Sequence, residues 1–351
     1  MAKAKKYKYS QDKYIVFTDV ARILNRQLNE IPVLCGSLAV ELRVKRKNSG
    51  KDISIFVSDD LLKDKCNSLF KAMELARFKV KDRNNFVFVR EDIEFAISPK
   101  SCFENNYNIN ADCFEFVKDY AEYYLPGVND LKIMLSADNR KDQCLKAITE
   151  QLQINVINCV RAFIRNEYDS NYYGENYHKS IRVQKLACNI AKHEDGDEYI
   201  TSLSALLIYA GENGMDYESL LYINGVDKVV VELIGNTIRG VINNRLKSTE
   251  AKCIHDALII DKLGAVGIAG AFAHDARRDI TMYNTEITPN CLKSERDYQN
   301  YTYNTISYFH NVLMNLKNDV VTECGKQLAD ERTNYMQEFL YEFYDEWEGI
   351  I

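Results

Sequence analysis

The chain has 351 residues, 46% of them hydrophobic and 27% charged, with a formal net charge of −6. That length exceeds one ordinary core and predicts two domains, and the composition is globular rather than fibrous or low-complexity. A mildly acidic chain has no bulk attraction for nucleic acid or anionic lipid; Lys3, Lys5, Lys6 and Lys8 form the one short basic arm.

Ten cysteines occur singly and never as Cys-x-x-Cys, several of them inside apolar runs such as VLCGSLAV and VQKLACNIA. Their pattern predicts buried thiols in a reducing compartment rather than a disulfide framework. No leader pattern and no long apolar run is seen, so a cytoplasmic location without a membrane partner is expected.

In chain order, residues 10–31 carry helical spacing (Tyr14, Val20, Ile23, Leu24, Leu28) and stop at Pro32. VLCGSLAVELRV, DISIFVS, ARFKVKD, NFVFVRE and DIEFAIS follow, short and rich in β-branched or aromatic residues. DDLLKDKCNSLFKAMELA between them has amphipathic helical spacing. Residues 1–150 therefore read as an α+β domain. From about residue 142 the β pattern stops. QCLKAITEQLQINVINCVRAFIRNEY, IRVQKLACNIAKHE, YITSLSALLIYAGENG and the tail ADERTNYMQEFLYEFYDEWEGII repeat apolar residues at three and four, so 151–351 read as all-α. No Gly/Pro/Ser linker divides the halves, which places the boundary in a shared helix near 140–165.

The first candidate site lies in VLCGSLAVELRVKRKNSGKDISIFV. A strand runs into Gly36-Ser37, where a glycine turn at a helix start lets backbone N–H groups approach a triphosphate. A second strand carries Asp52, and Glu94 in EDIEFAI supplies another carboxylate for Mg²⁺. This arrangement resembles the nucleotidyltransferase superfamily: a hydrophobic residue, Gly-Ser, a spacer, then an acidic strand motif. YYLPGVNDLKIMLSADNRKDQ resembles the later helix of its small members, ending in Arg140-Lys141-Asp142. The resemblance spans roughly residues 30–150. It implies Asp52 and Glu94 as metal-holding and catalytic residues, and Gly36, Ser37, Arg140 and Lys141 as nucleotide-binding. Two positions depart from the pattern. The second metal carboxylate falls on Ser54, and the later basic residue on Met134, with Lys132 out of phase.

The second candidate site lies in CIHDALIIDKLGAVGIAGAFA, a helix opening Asp-Ala-x-x-x-Asp and running into Gly-Ala-x-Gly-Ile-Ala. It resembles the HD-domain phosphohydrolases, as do ISYFHNVLMNLKNDVVTECGKQLADERTNYMQEFLYEF and most of the helical half. That family holds a divalent metal with a His, an adjacent His-Asp pair and a later Asp. The resemblance puts these ligands at Lys179, Ile208, Tyr209 and Leu258, none of which can serve. No metal is therefore expected there, and packing residues are expected to fill the space. His178 sits one position early, about 100° around a helix from Lys179. A relocated site would need His178, Asp261 and Glu212 to converge.

His274-Asp275 is a literal His-Asp pair but falls past the Gly-Ala-x-Gly-Ile-Ala helix, and reads as a surface pair. His193 and His255 read as exposed, and His310 as packed among Tyr308 and Phe309. The run Glu194-Asp195-Asp197-Glu198 reads as a loop, without the ligand spacing of a calcium site. Tyr172, Tyr173 and Tyr177 offer rings for stacking a base or sealing the altered centre.

Three functions follow. The leading one is a nucleotidyltransferase-like and HD-like protein that binds a nucleotide, nucleotide-linked ligand or protein partner with weak or lost catalysis. The alternatives are an active Mg²⁺-dependent nucleotidyltransferase using Asp52 and Glu94, and a phosphohydrolase with relocated ligands.

Overall fold

The computed structural model describes residues 10–45, 52–137, 143–169, 175–286 and 304–350. These divide into two compact units, Met1–Asn155 and Val156–Ile351. Lys3, Lys5, Lys6, Lys8, Arg140, Lys141, Tyr172 and Tyr173 lie outside the described residues.

The first unit is built on a mixed seven-stranded sheet in the order β3-β4-β5-β2-β1-β7-β6. Its strands are β1 (Val33–Cys35), β2 (Ile53–Val57), β3 (Lys79–Asp82), β4 (Val87–Arg90), β5 (Ile93–Pro99), β6 (Glu115–Lys118) and β7 (Glu122–Leu125). Its helices are α1 (Gln11–Gln27), α2 (Gly36–Val44), α3 (Asp59–Lys63), α4 (Cys66–Leu75), α5 (Cys102–Tyr107) and α6 (Val128–Ala137). Alternation along β2 decides the layering. Ile53, Ile55 and Val57 join one core with Phe17, Val20 and Leu24 of α1. Phe56 points the other way, into a smaller cluster with Cys35, Phe103, Phe114 and Met134. Arg43 of α2 ties this frame to the end of β7, donating to the Pro126 and Leu125 carbonyls at 2.7 Å each and pairing with Glu115.

Several sequence expectations shift here. The first helix ends at Gln27 rather than at Pro32, and Asn29 takes a left-handed turn at φ 52°. VLCGSLAVELRV is a three-residue strand followed directly by α2, because Gly36 turns the chain after Cys35. The single amphipathic segment at 59–76 is two helices, α3 and α4. The β6–β7 hairpin lay unread in residues assigned to a helix approach; its tyrosines and phenylalanine fit a pleated surface.

The second unit is helical throughout its described residues. The long helix α7 (Gln143–Asp169) belongs to the first unit up to Asn155 and to the second from Val156, and is followed by α8 (Glu175–His193), α9 (Glu198–Glu212), α10 (Tyr217–Ile223), α11 (Lys228–Ile242), α12 (Thr249–Ile260), α13 (Gly264–Ala276), α14 (Thr305–Asn311) and α15 (Glu323–Glu348). The centre is α9, where Thr201–Ile208 and Ala210 are all buried, as expected of a helix enclosed by others. Helices α8, α11 and α12 pack around it. Side-chain caps start the helices: Asp197 for α9, Asp216 for α10, Asp227 for α11, Ser248 for α12, Asn304 for α14 and Thr322 for α15. Each takes up backbone N–H groups that the helix itself cannot satisfy.

The segment expected as one helix over 256–273 is two. Helix α12 ends at Ile260, and Gly264 at φ +73° starts α13 at a 60° bend. A side chain at 264 would also press on the Arg332 stem, 3.1 Å away. Among the described residues no single helix is long and apolar enough to cross a membrane; the bent pair α12–α13 passes that test only together, and Ala251, Cys253, Ile254, Asp256, Ala257 and Ile260 of α12 are buried in the unit.

Candidate functional site

In the first unit, Gly36 opens α2 at φ +74° and forms an isolated bridge to Ile53. A Cβ at 36 would sit 2.7 Å from Asp52 Oδ2, so the turn and the carboxylate share space that only glycine leaves open. Ser37 is fully buried. Its N–H and hydroxyl both donate to the Asp52 carbonyl, at 3.2 and 2.7 Å. The hydroxyl also accepts from Lys13 Nζ at 3.2 Å, and Lys13 donates to the buried Glu41 at 2.7 Å. A lysine and glutamate from α1 and α2 therefore support the turn from beneath. No local pattern signals this pair, because 28 residues separate its members. The Ser37 side chain is thus engaged with the fold rather than presented to solvent.

Asp52 and Glu94 occupy neighbouring positions. β2 and β5 run parallel with Ile53 opposite Phe95 and Ser54 opposite Ala96. One step back along each strand reaches Asp52 and Glu94, on the face away from the α1 core. Glu94 is exposed and pairs with Lys81, which reaches it from β3 on that same face. Ser54 adds no charge, and no group of three or more His, Cys, Asp or Glu side chains fit to hold a metal occurs among the described residues. Met134 is packed in the apolar cluster beside Phe56, while Lys132 is exposed.

In the second unit, the four positions implied as metal ligands converge on different chemistry. Ile208 is fully buried among Leu203, Leu206 and Leu207 of its own helix and Val231 and Ile234 of α11. Leu258 packs half-buried against both helical clusters. Lys179 places its ammonium 5.5 Å from the centre of the Tyr209 ring, a cation–π contact. Burial pushes the Tyr209 phenol up from its usual range, helped by the charges of Glu212 and Asp261, so the ring stays neutral at physiological pH.

Beside this pair, Arg182 grips Asp261 in a two-pronged contact, Nε to Oδ1 at 2.9 Å and the second guanidinium nitrogen to Oδ2 at 3.1 Å. Arg332 of α15 donates to the Ile260 carbonyl at 2.6 Å, and the Asp261 carboxylate offsets part of the burial that lowers its pKa. Asp261 caps the end of α12 and is committed to arginine. His178 is exposed, edge-on to Tyr177 at 5.4 Å, and Glu212 is exposed. Arg182 was legible only as a landmark in IRVQKLA; its partner lies 79 residues away.

Asp256, the first aspartate of the motif, is a structural clamp. Fully buried, it accepts from the Val321 N–H at 3.0 Å and from the Thr322 N–H and hydroxyl at 2.7 and 2.6 Å, with His255 at 3.1 Å. Burial pulls its pKa up, but the donors from His255, Thr322 and Val321 outweigh that and hold it below the ordinary 3.8.

The remaining polar residues have local roles. His274 is exposed but its partner Asp275 is buried, so this is only half a surface pair. His255 is partly rather than fully exposed; His193 is exposed. His310 meets the Tyr344 hydroxyl at 2.9 Å and stacks on its ring. In the acidic run, Asp197 caps α9 and Glu194 accepts from the Cys324 N–H at 2.8 Å. Tyr177 lies beside the α9 core, with the Arg165 guanidinium 5.8 Å from its ring.

No family model matches the chain. It is 24% identical over 208 residues to the uncharacterized protein YpgQ of Bacillus subtilis, covering 54% of this chain and 93% of YpgQ. It is 28% identical over 151 residues to the uncharacterized protein YnaI of the same organism, covering 41% of this chain and 95% of YnaI. Among solved structures it is similar to an HD-superfamily hydrolase from Bacillus thuringiensis, at 26% identity and a TM-score of 0.47, over 56% of this chain and 98% of that one. YpgQ in complex with ADP is also similar, at 20% identity and a TM-score of 0.45, over 56% and 96%. Each of these two structures is matched over 56% of this chain.

Proposed function

We propose that the helical unit is an HD-like scaffold that binds a nucleotide or nucleotide-linked phosphate without metal-dependent hydrolysis, joined to a nucleotidyltransferase-like unit. One observation carries the reading: the four implied ligand positions hold Lys179, Ile208, Tyr209 and Leu258, and a neighbouring carboxylate, Asp261, is held by Arg182. A hard cation finds no ligand set in that arrangement, whereas a phosphate finds the Lys179 ammonium and an aromatic face, with Arg182 paired to Asp261 beside them. Lys179 would take a phosphate oxygen as its charge-assisted acceptor, and Tyr209 would flank it. The relative YpgQ has been crystallised with ADP, which supports a nucleotide as the ligand class.

Calorimetric titration of the full chain with ADP and ATP, with and without EDTA, tests this. Binding is expected to be unchanged by EDTA, weakened about tenfold by Lys179→Met through loss of one charge-assisted contact, and unaccompanied by phosphate release. Binding that requires a metal, or steady turnover, would overturn it.

The juxtaposition of Asp52 and Glu94 favours a second reading, an active nucleotidyltransferase. There Asp52 and Glu94 would hold Mg²⁺ brought with a nucleoside triphosphate, and the metal would supply positive charge to offset that of the phosphates. The Gly36 turn would admit the phosphates close to the backbone, with Arg140 and Lys141 as further anion partners. Labelled nucleoside triphosphates with Mg²⁺ or Mn²⁺ decide between the two. Transfer to the chain or an acceptor that disappears in Asp52→Ala would establish this second reading.

A further inference from the structure

The helical unit contains a cavity of about 500 Å³ between the start of α9, the second half of α11 and the start of α12. It lies at the opposite end of α9 from Tyr209: Ile200 lines it, and nine residues of helix, about 13 Å, separate the two. Its wall is formed where α11 stops. Asn244 turns at φ 51°, the Arg245 N–H returns to the Gly240 carbonyl at 2.7 Å, and Lys247 leads into Ser248, the cap of α12.

Three cations edge this cavity. Arg245 and Lys247 are exposed and join no ion pair among the described residues. Arg239 is only loosely held, with the Asn236 carbonyl oxygen at 3.0 Å and Glu218 at 4.0 Å. The acid in the lining, Glu250, is turned to the Asp197 N–H at 3.0 Å. The Ser248 hydroxyl covers only the Ala251 N–H, so the first donors of α12 stay open beside the cations.

Thr237 supplies an independent sign of a ligand. It is 4% exposed, lines the cavity and makes no hydrogen bond within the described residues. A mid-helix threonine ordinarily bonds back to the carbonyl four residues earlier. Thr149 and Thr333 do so here, at 2.9 and 2.7 Å, whereas Thr201 in α9 does not. Its hydroxyl opens into the cavity rather than being sealed in the core, so a polar group that enters can bond it. The floor beside it is apolar, formed by Ile200, Leu233 and Ala251.

We propose that this cavity is a binding site for a small organic phosphate, separate from the Lys179–Tyr209 centre. The phosphate oxygens lie against Arg245, Lys247 and the open N–H groups of α12, the Thr237 hydroxyl bonds the ligand, and an apolar or planar body rests on Ile200 and Leu233. The inference does not depend on nucleotide binding at Lys179.

Hydrogen exchange on the full chain, with ADP and separately with pyrophosphate at matched ionic strength, tests it. ADP is expected to protect residues 236–251, and pyrophosphate to protect them less because it lacks a body for the apolar floor. Arg245→Ala combined with Lys247→Ala, both at exposed positions, should weaken that protection about tenfold or more by removing two charge-assisted contacts. Thr237→Val, which keeps the side-chain shape, should weaken it less, and Lys179→Met should leave it in place. No protection of 236–251 at millimolar ligand, or protection that survives the double substitution, would overturn the proposal.

Discussion

The turn at Gly36 and the crossing of α8, α9 and α12 spend their polar side chains in different ways. At the turn, the anchoring polar side chain binds backbone, Ser37 to the Asp52 carbonyl, and the side-chain pair Lys13–Glu41 braces it from below. At the crossing polar side chains bind one another, Arg182 to Asp261 and Lys179 to Tyr209. A side chain that fixes a backbone path cannot be exchanged without moving the chain. A side-chain pair can be exchanged for another of similar volume, as a buried ion pair often can. Asp256 is informative because it lies in the second unit but follows the first pattern, binding the backbone at 321–322.

Four substitutions sharpen or break this contrast, from the largest effect to the smallest. Asp256→Asn replaces one acceptor oxygen by a donor facing the Val321 and Thr322 N–H groups, and should cost about 3 kcal/mol of stability in urea unfolding. The same carboxylate gives a pH dependence. Its pKa is depressed in the folded state, so its stabilisation is complete above the unfolded value of 3.8 and is lost as pH falls through the lower folded value. Acid unfolding of Asp256→Asn should lack that component. Gly36→Ala forces a Cβ onto Asp52 and a left-handed φ onto alanine, and should cost about 1–3 kcal/mol. Arg182→Met leaves Asp261 unpaired, but the guanidinium is 38% exposed; screening limits the expected loss to about 1–2 kcal/mol. Lys179→Met removes one cation–π contact and should cost about 0.5–1 kcal/mol. An inverted order, with Lys179→Met worse than Asp256→Asn, would break the contrast.

The α+β character of the first half and the helical second half were legible because hydrophobic periodicity reports burial, and helix starts because caps are local chemistry. Asp197 and Ser248 announce helices within three residues of themselves. The β6–β7 hairpin was missed because Tyr123 and Tyr124 sit beside a proline and a helix that dominated the pattern. The break at Gly264 was missed because Ala and Gly on both sides satisfy helical spacing without revealing a φ of +73°. Of the candidate sites, the residue identities were legible and their contacts were not. Lys179 against Tyr209 and Arg182 against Asp261 join residues 30 and 79 apart, and only the fold brings them together. Thr237 and Arg245 likewise carry no motif; their meaning comes from a cavity wall.

The central claim is that the HD-like scaffold holds a cation–aromatic cluster where its likeness would place a metal. Equilibrium dialysis of the full chain against Mn²⁺, followed by elemental analysis, tests this most directly, with Asp261→Asn and His178→Ala measured in parallel. The account predicts no stoichiometric Mn²⁺ that depends on either residue. One equivalent of Mn²⁺ retained by the native chain and lost in both variants would contradict it.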